Sequence, residues 1–258
     1  MLEDRAAPLH SLLEQARAAG VYHFEEPIVA LDSQWVHTQE GRRKLMFATY
    51  SYLGLLGHPA IAAASIAAVT HYGTGTHGVR LNGGTLDLHK RLERRIAEFL
   101  GREDALVFSS GFMTNQGVLT ALLQPGDWVI GDQWNHASIV DGCRASGATF
   151  RVYPHNDLAA LERLLLEAPP DVLRLVVVDA LFSLDGDLVD LPRIVELVRR
   201  HHALLMVDEA HSLGALGERG RGIEDHFAMP GVIDLAMGTL SKVIPACGGY
   251  VAGSHRLV

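Results

Sequence analysis

Cysteine is scarce in this chain. Of 258 residues only Cys143 and Cys247 are cysteines, and neither falls in a CxxC or other metal-ligand spacing, which argues against a disulfide framework and a structural zinc site. Positive charge is not in excess either. The 22 basic residues are outnumbered by 30 acidic ones, and a net charge of −8 offers no electrostatic footprint for nucleic acid or an anionic membrane. Long apolar runs are also missing. Met1-Leu2-Glu3-Asp4-Arg5 leads into no continuous apolar stretch of the kind a signal peptide needs. The most alanine-rich run, 60–69, covers about half of the roughly 20 residues that cross a bilayer. No GxxxxGK[ST] phosphate loop precedes Asp208-Glu209-Ala210-His211, a box shared with some nucleotide-driven helicases, so a nucleotide motor is not expected. There is no internal repeat and no low-complexity segment. A reducing, cytoplasmic setting with no integral membrane segment and no nucleic-acid partner is the expectation.

With 48% hydrophobic residues, the chain has material for one sizeable core. Leu9, Leu12, Leu13 and Ala16 recur at helical spacing and stop at Gly20, which predicts a short amphipathic arm. A polar, aromatic-containing stretch follows to about Tyr52. Beyond it, apolar runs at 105–108, 128–131, 149–153, 173–178, 204–207, 233–237 and 248–252 read as strands. Amphipathic segments at 86–100, 114–123, 137–146, 158–167 and 191–201 read as helices between them. This alternation predicts an α/β fold, a mostly parallel sheet flanked by helices, with ligands at the carboxyl ends of the strands. Gly73-Thr74-Gly75-Thr76-His77-Gly78 spells GxGxxG, yet it follows an alanine-rich helical stretch where a dinucleotide turn needs a strand.

The most informative residue is Lys242, which closes Gly238-Thr239-Leu240-Ser241-Lys242. A lysine after a hydroxyl-rich turn, together with Asp208 at the end of a buried strand, suits pyridoxal phosphate chemistry. The amine forms a Schiff base, and the carboxylate keeps a pyridine nitrogen protonated. Four further motifs precede it in order: Asn135-His136-Ala137-Ser138, Phe182-Ser183-Leu184-Asp185-Gly186-Asp187, Val207-Asp208-Glu209-Ala210-His211 and Gly217-Glu218-Arg219-Gly220-Arg221-Gly222. The series resembles that of the α-oxoamine synthases, the pyridoxal phosphate enzymes that include 8-amino-7-oxononanoate synthase, serine palmitoyltransferase, 5-aminolevulinate synthase and 2-amino-3-ketobutyrate CoA ligase. The resemblance runs from about residue 45 to the end.

It implies fold type I, a homodimer with active sites at the subunit interface, and decarboxylative condensation of an amino acid with an acyl thioester on coenzyme A or an acyl carrier protein. It further implies that Lys242 carries the cofactor, Asp208 pairs with the ring nitrogen, His136 stacks on the ring and His211 hydrogen-bonds its phenolic oxygen. Ser183 and Thr239 would supply hydroxyl contacts. The helix start after Ser109-Ser110-Gly111-Phe112 offers amides for the phosphate at Gly111 and Phe112. Gly73, Gly75, Gly78, Gly83 and Gly84 would let backbone pass close to the cofactor and the dimer partner.

The expected organisation is an N-terminal arm belonging to a small domain over 1–55 and a large cofactor-binding domain over 56–258, with the C-terminal small domain of the family missing. Val243-Ile244-Pro245 departs from the glycine-containing segment usual after the family lysine, whereas Ala246-Cys247-Gly248-Gly249-Tyr250 and Thr49-Tyr50-Ser51-Tyr52-Leu53-Gly54 look like serine palmitoyltransferase segments. The competing expectations are a fold type I aminotransferase and an inactive, truncated cofactor-binding fragment.

Overall fold

The computed structural model describes residues 2–22, 26–32 and 34–258, in two compact units that divide between Thr49 and Tyr50. The first holds helix α1 (Leu2–Ala18) and strands β1 (Ile28–Asp32), β2 (Trp35–Thr38) and β3 (Arg43–Leu45), which form an antiparallel sheet in that order. This small sheet falls in the polar, aromatic-containing stretch to which the sequence pattern assigns no strand. Every described residue of β1 and β3 is exposed, so no inward and outward alternation announced them.

The second unit opens with α2 (Pro59–Tyr72) and α3 (Asp87–Leu100), then alternates β4 (Asp104–Phe108), α4 (Gly111–Leu122), β5 (Trp128–Asp132), α5 (Ala137–Ala145), β6 (Thr149–Tyr153), α6 (Leu158–Glu167), β7 (Arg174–Asp179), α7 (Leu191–Arg200), β8 (Leu204–Asp208), the short α8 (Ile223–His226), β9 (Leu235–Thr239) and β10 (Gly249–Gly253). These strands form one sheet in the order β4-β10-β9-β8-β7-β5-β6. All run parallel except β10, which is antiparallel to both β4 and β9. The predicted α/β rhythm is therefore present, with one reversed strand inside it.

Period-two alternation in the central strands sorts side chains onto two faces. Val176 and Val178 of β7, with Leu205 and Val207 of β8, pack under α6 and α7 against Leu161, Leu165, Ile194 and Val198. Leu175, Val177 and Met206 point the other way, under α4 and α5, against Leu119, Ile139 and Cys143. Each such side chain, fully buried, contributes about 1.5–3 kcal/mol of transfer free energy. Caps fix where the helices begin. Ser110 accepts the Met113 N–H ahead of α4, Asp157 accepts that of Ala160 ahead of α6, and Asp190 accepts that of Arg193 ahead of α7. Because β5, β7, β8 and β9 all end on the same edge of the sheet, Asp132, Asp179, Asp208 and Thr239 are brought to one side of the molecule. Among the described residues, no helix is long and apolar enough to cross a membrane.

Candidate active site

At that edge lies a cavity of about 240 Å³, lined by all eight residues singled out in the sequence: Gly111, Phe112, His136, Ser183, Asp208, His211, Thr239 and Lys242. Among the described residues there is no group of three or more His, Cys, Asp or Glu side chains suited to a metal ion.

The start of α4 forms one wall. In the first turn of a helix the amides have no carbonyl four residues back, so the N–H groups of Gly111 and Phe112 are available to an anion, and the helix dipole favours one. The backbone comes close here because glycine permits it. A Cβ on Gly111 would lie 3.1 Å from Thr239 Cβ and 3.3 Å from Met237 Cε, and one on Gly249 would lie 2.7 Å from the Gly111 nitrogen. The Thr239 hydroxyl lies 3.0 Å from the Gly248 carbonyl, to which it donates, and 2.8 Å from Ser241 Oγ, which stiffens the turn leading to Lys242.

Asp208 is buried at the end of β8. Its Oδ1 accepts the Ala210 N–H at 2.9 Å and its Oδ2 accepts Asn115 Nδ2 at 2.8 Å. Burial raises its pKa; the two donors and the charge of Lys242 oppose the rise. A buried carboxylate held by neutral donors suits a cationic N–H donor. The second hydrogen of Asn115 Nδ2 goes to Ser138 Oγ at 2.9 Å, and that hydroxyl lies 2.7 Å from His136 Nδ1. Since Nδ1 also accepts the Ser138 N–H at 3.2 Å, a neutral His136 carries its proton on Nε2. Asp208 and His136 are thus tied through Asn115 and Ser138. Beside them, Asp179 accepts the His136 N–H at 2.7 Å. Burial and the nearby Asp208 charge push its pKa well above the carboxylate range.

His211 is half-buried, and its Nδ1 lies 2.7 Å from the Tyr52 hydroxyl. Burial, then the charges of Lys242 and His136, lower its pKa to about 4. Neutral at pH 7, with Nδ1 taking the phenolic hydrogen, it presents Nε2–H as a donor. Lys242 is itself shifted down by burial, against the pull of Asp208 and Asp179, and its Nζ stands 5.5 Å from the centre of the Tyr50 ring.

Together these groups supply amides and hydroxyls for a phosphate, a buried carboxylate for a ring nitrogen, a neutral imidazole donor and an amine of lowered basicity. That set fits pyridoxal phosphate. Residues 42–258 match the family model of aminotransferase class I and II. The chain belongs to that family. Within the aminotransferase class I and II family its relatives are α-oxoamine synthases, as the motif series implied. It is 48% identical over 246 residues to an 8-amino-7-oxononanoate synthase from Geobacter sulfurreducens, covering 95% of this chain and 63% of the relative. It is 42% identical over 258 residues to a serine palmitoyltransferase from Bacteroides ovatus, covering 100% and 65%. Its structure superimposes with a TM-score of 0.95, at 32% identity, on a serine palmitoyltransferase from S. paucimobilis with bound PLP-myriocin aldimine, covering 99% of this chain and 66% of that one. The chain thus spans slightly under two thirds of these relatives' lengths.

Asn115, Ser138, Asp179 and the Tyr50–Tyr52 pair were not assigned site roles from the sequence. Asn115 and Asp179 carried a usable signal: a polar residue on the otherwise apolar face of α4, and an aspartate ending an apolar strand just as Asp208 does.

Proposed function

We propose that this chain carries the cofactor-holding half of the chemistry of a pyridoxal phosphate acyltransferase, which condenses an amino acid with an acyl thioester, with loss of carbon dioxide and release of the thiol. The observation that carries the reading is the convergence of Lys242, Asp208, His136 and His211 on one cavity beneath the α4 N-terminus. Bound pyridoxal phosphate would supply an electron sink for the negative charge that develops at the amino acid Cα.

The chain's own residues divide the remaining work. Gly111 and Phe112 amides hold the phosphate, with the Thr239 and Ser183 hydroxyls near it. Asp208, fixed by Asn115, holds the proton on the ring nitrogen. His211 Nε2–H would donate to the phenolic oxygen, and His136 would pack against the ring. Lys242 would anchor the cofactor, and its amine would move the proton at the amino acid Cα; burial lowers its basicity, which favours the neutral amine that this task needs.

The acyl donor belongs to the coenzyme A or acyl carrier protein class, as the resemblance of the motif series implies. A homodimer is supported by α2, an apolar helix with no buried residue, and by Leu81, which is 97% exposed. A cytoplasmic setting is supported by two cysteines that are both free thiols. Incubation with pyridoxal phosphate followed by borohydride should fix the cofactor covalently on the Lys242 peptide, and not in Lys242→Ala. Amino acid and acyl thioester pairs are then screened for joint release of carbon dioxide and thiol. Amino-group transfer without either would replace the condensation reading with transamination.

A further inference from the structure

We propose that His155, outside the cavity, is a positioning residue that clamps together the hairpin bearing Ser183 and the turn bearing His136. Its Nδ1 lies 2.9 Å from Asp132 Oδ1 at the end of β5, and its Nε2 lies 2.7 Å from Asp187 Oδ2. One face of the ring stacks on Trp134, with centroids 3.8 Å apart and planes 13° from parallel, and Phe182 meets it edge-on at 4.5 Å.

Each partner belongs to an element that carries a site residue. Phe182 and Asp187 flank Ser183 in a hairpin closed by the Leu181–Leu188 bridge and by the Phe182 N–H donating to the Asp187 carbonyl at 3.0 Å. Trp134 precedes Asn135 and His136, and its N–H donates to the same Asp132 Oδ1 at 2.8 Å. Asn156 completes the joint: its N–H donates to Asp132 Oδ2 and its Nδ2 to Asp187 Oδ2, each at 3.0 Å.

A carboxylate at each nitrogen favours the imidazolium form. Burial works against the charge, but the hydrogen bonds to Asp132 and Asp187 outweigh it and raise the pKa above 6.5. The charged groups facing the ring are these two carboxylates, one from β5 and one from the hairpin. From β6 comes Tyr153, a buried phenol whose pKa is pushed up by burial and by Asp132. A proton bound more tightly in the clamped form gives a contribution that is complete below about pH 6.5 and is lost as pH rises through the raised value.

The test is amide hydrogen exchange on the full chain without added cofactor, comparing wild type with His155→Gln and Asp187→Asn. In wild type, protection at Phe182, Gly186 and Val189 should fall by about tenfold between roughly pH 6 and pH 9, as charge-assisted hydrogen bonds are lost. In His155→Gln it should already be low at the lower pH and flat across the range. A folded His155→Gln protein with wild-type protection and wild-type pH dependence would overturn the clamp. Should His155→Gln not fold, Asp187→Asn decides: a loosened hairpin beside an unchanged α5 supports the clamp, and an unchanged hairpin overturns it. A second readout rests on the proposed function: pyridoxal phosphate should bind His155→Gln about tenfold more weakly than wild type. Failure of wild type to bind pyridoxal phosphate would sink that functional reading and leave the exchange result to judge the clamp.

Discussion

Asp179 and Asp208 end neighbouring parallel strands in direct register, and both carboxyls are buried. Two such groups side by side do not ionise equally. Asp208 has Asn115, the Ala210 amide, Lys242 and His136 to support its charge; Asp179 has the His136 amide and Lys242, but burial and the Asp208 charge outweigh them. Asp208 is the better supported charge, and Asp179 is the carboxyl pushed well above the usual range. Asp179→Asn should therefore bind pyridoxal phosphate within a few-fold of wild type, while Asp208→Asn should lose about tenfold or more, the scale of one charge-assisted hydrogen bond. Absorbance titration with the cofactor compares them, and equal losses would refute this division of charge.

The pH dependence of stability has a second source at Glu209. This carboxyl is buried beside Ser212 and the Ile223 amide, and burial raises its pKa to about 7. In the unfolded chain it releases its proton near 4.5, so between these values the folded state binds more protons and stability falls as pH rises. Relative to Glu209→Gln, wild type should lose roughly 3 kcal/mol between acid pH and pH above 7. Urea unfolding of both proteins across that range measures the difference. The slope is the test, because Gln also changes the hydrogen bonds to Ser212 and Ile223.

Tyr52 and His211 make a prediction readable by NMR. With its pKa lowered to about 4, His211 should stay neutral at pH 5.5, where an exposed histidine is mostly charged. Ring nitrogen shifts should show Nε2 protonated and Nδ1 bare. Tyr52→Phe removes the hydrogen donated to Nδ1, and the spectrum should then become a mixture of tautomers. A protonated Nδ1 in wild type would contradict the arrangement.

Two glycines near the α4 start should respond unequally to alanine. On Gly249 a Cβ would press on Thr114 Oγ1 and lie 2.7 Å from both the Gly111 nitrogen and the Ser110 carbonyl carbon, contacts that backbone cannot easily yield. On Gly111 the nearest atoms are side chain, at 3.1 Å or more. Gly249→Ala should cost about 1–3 kcal/mol, the overpacking range, and weaken cofactor binding. Gly111→Ala should cost less. Thermal unfolding and cofactor titration of both variants rank them.

Much of this was legible in the sequence, for identifiable reasons. Runs such as Leu175–Val178 and Leu205–Val207 are buried on both faces, and such strands read as unbroken apolar segments. The α4 start fell three residues later than it is, because Gly111 is a poor helix former that the Ser110 cap makes acceptable. The reversed direction of β10 had no local signature, since parallel and antiparallel pairing ask for the same side chains when both faces are covered. Ser138 and Tyr52 were illegible for another reason: their place in the site comes from hydrogen bonds that join distant segments.

The reversed strand has a consequence for how the chain assembles. β4 joins the seven-stranded sheet only through β10, so the first strand of that sheet to be synthesised waits for the last before its ladder can close. Closure over so long a loop is entropically slow. During synthesis β5 to β9 can already condense with α4 and α5 over one face, while β4 has no edge to dock on. The Gly249 backbone that packs against Ser110 and Gly111 thus arrives last, and until it does the anion-binding turn lacks the strand that closes behind it.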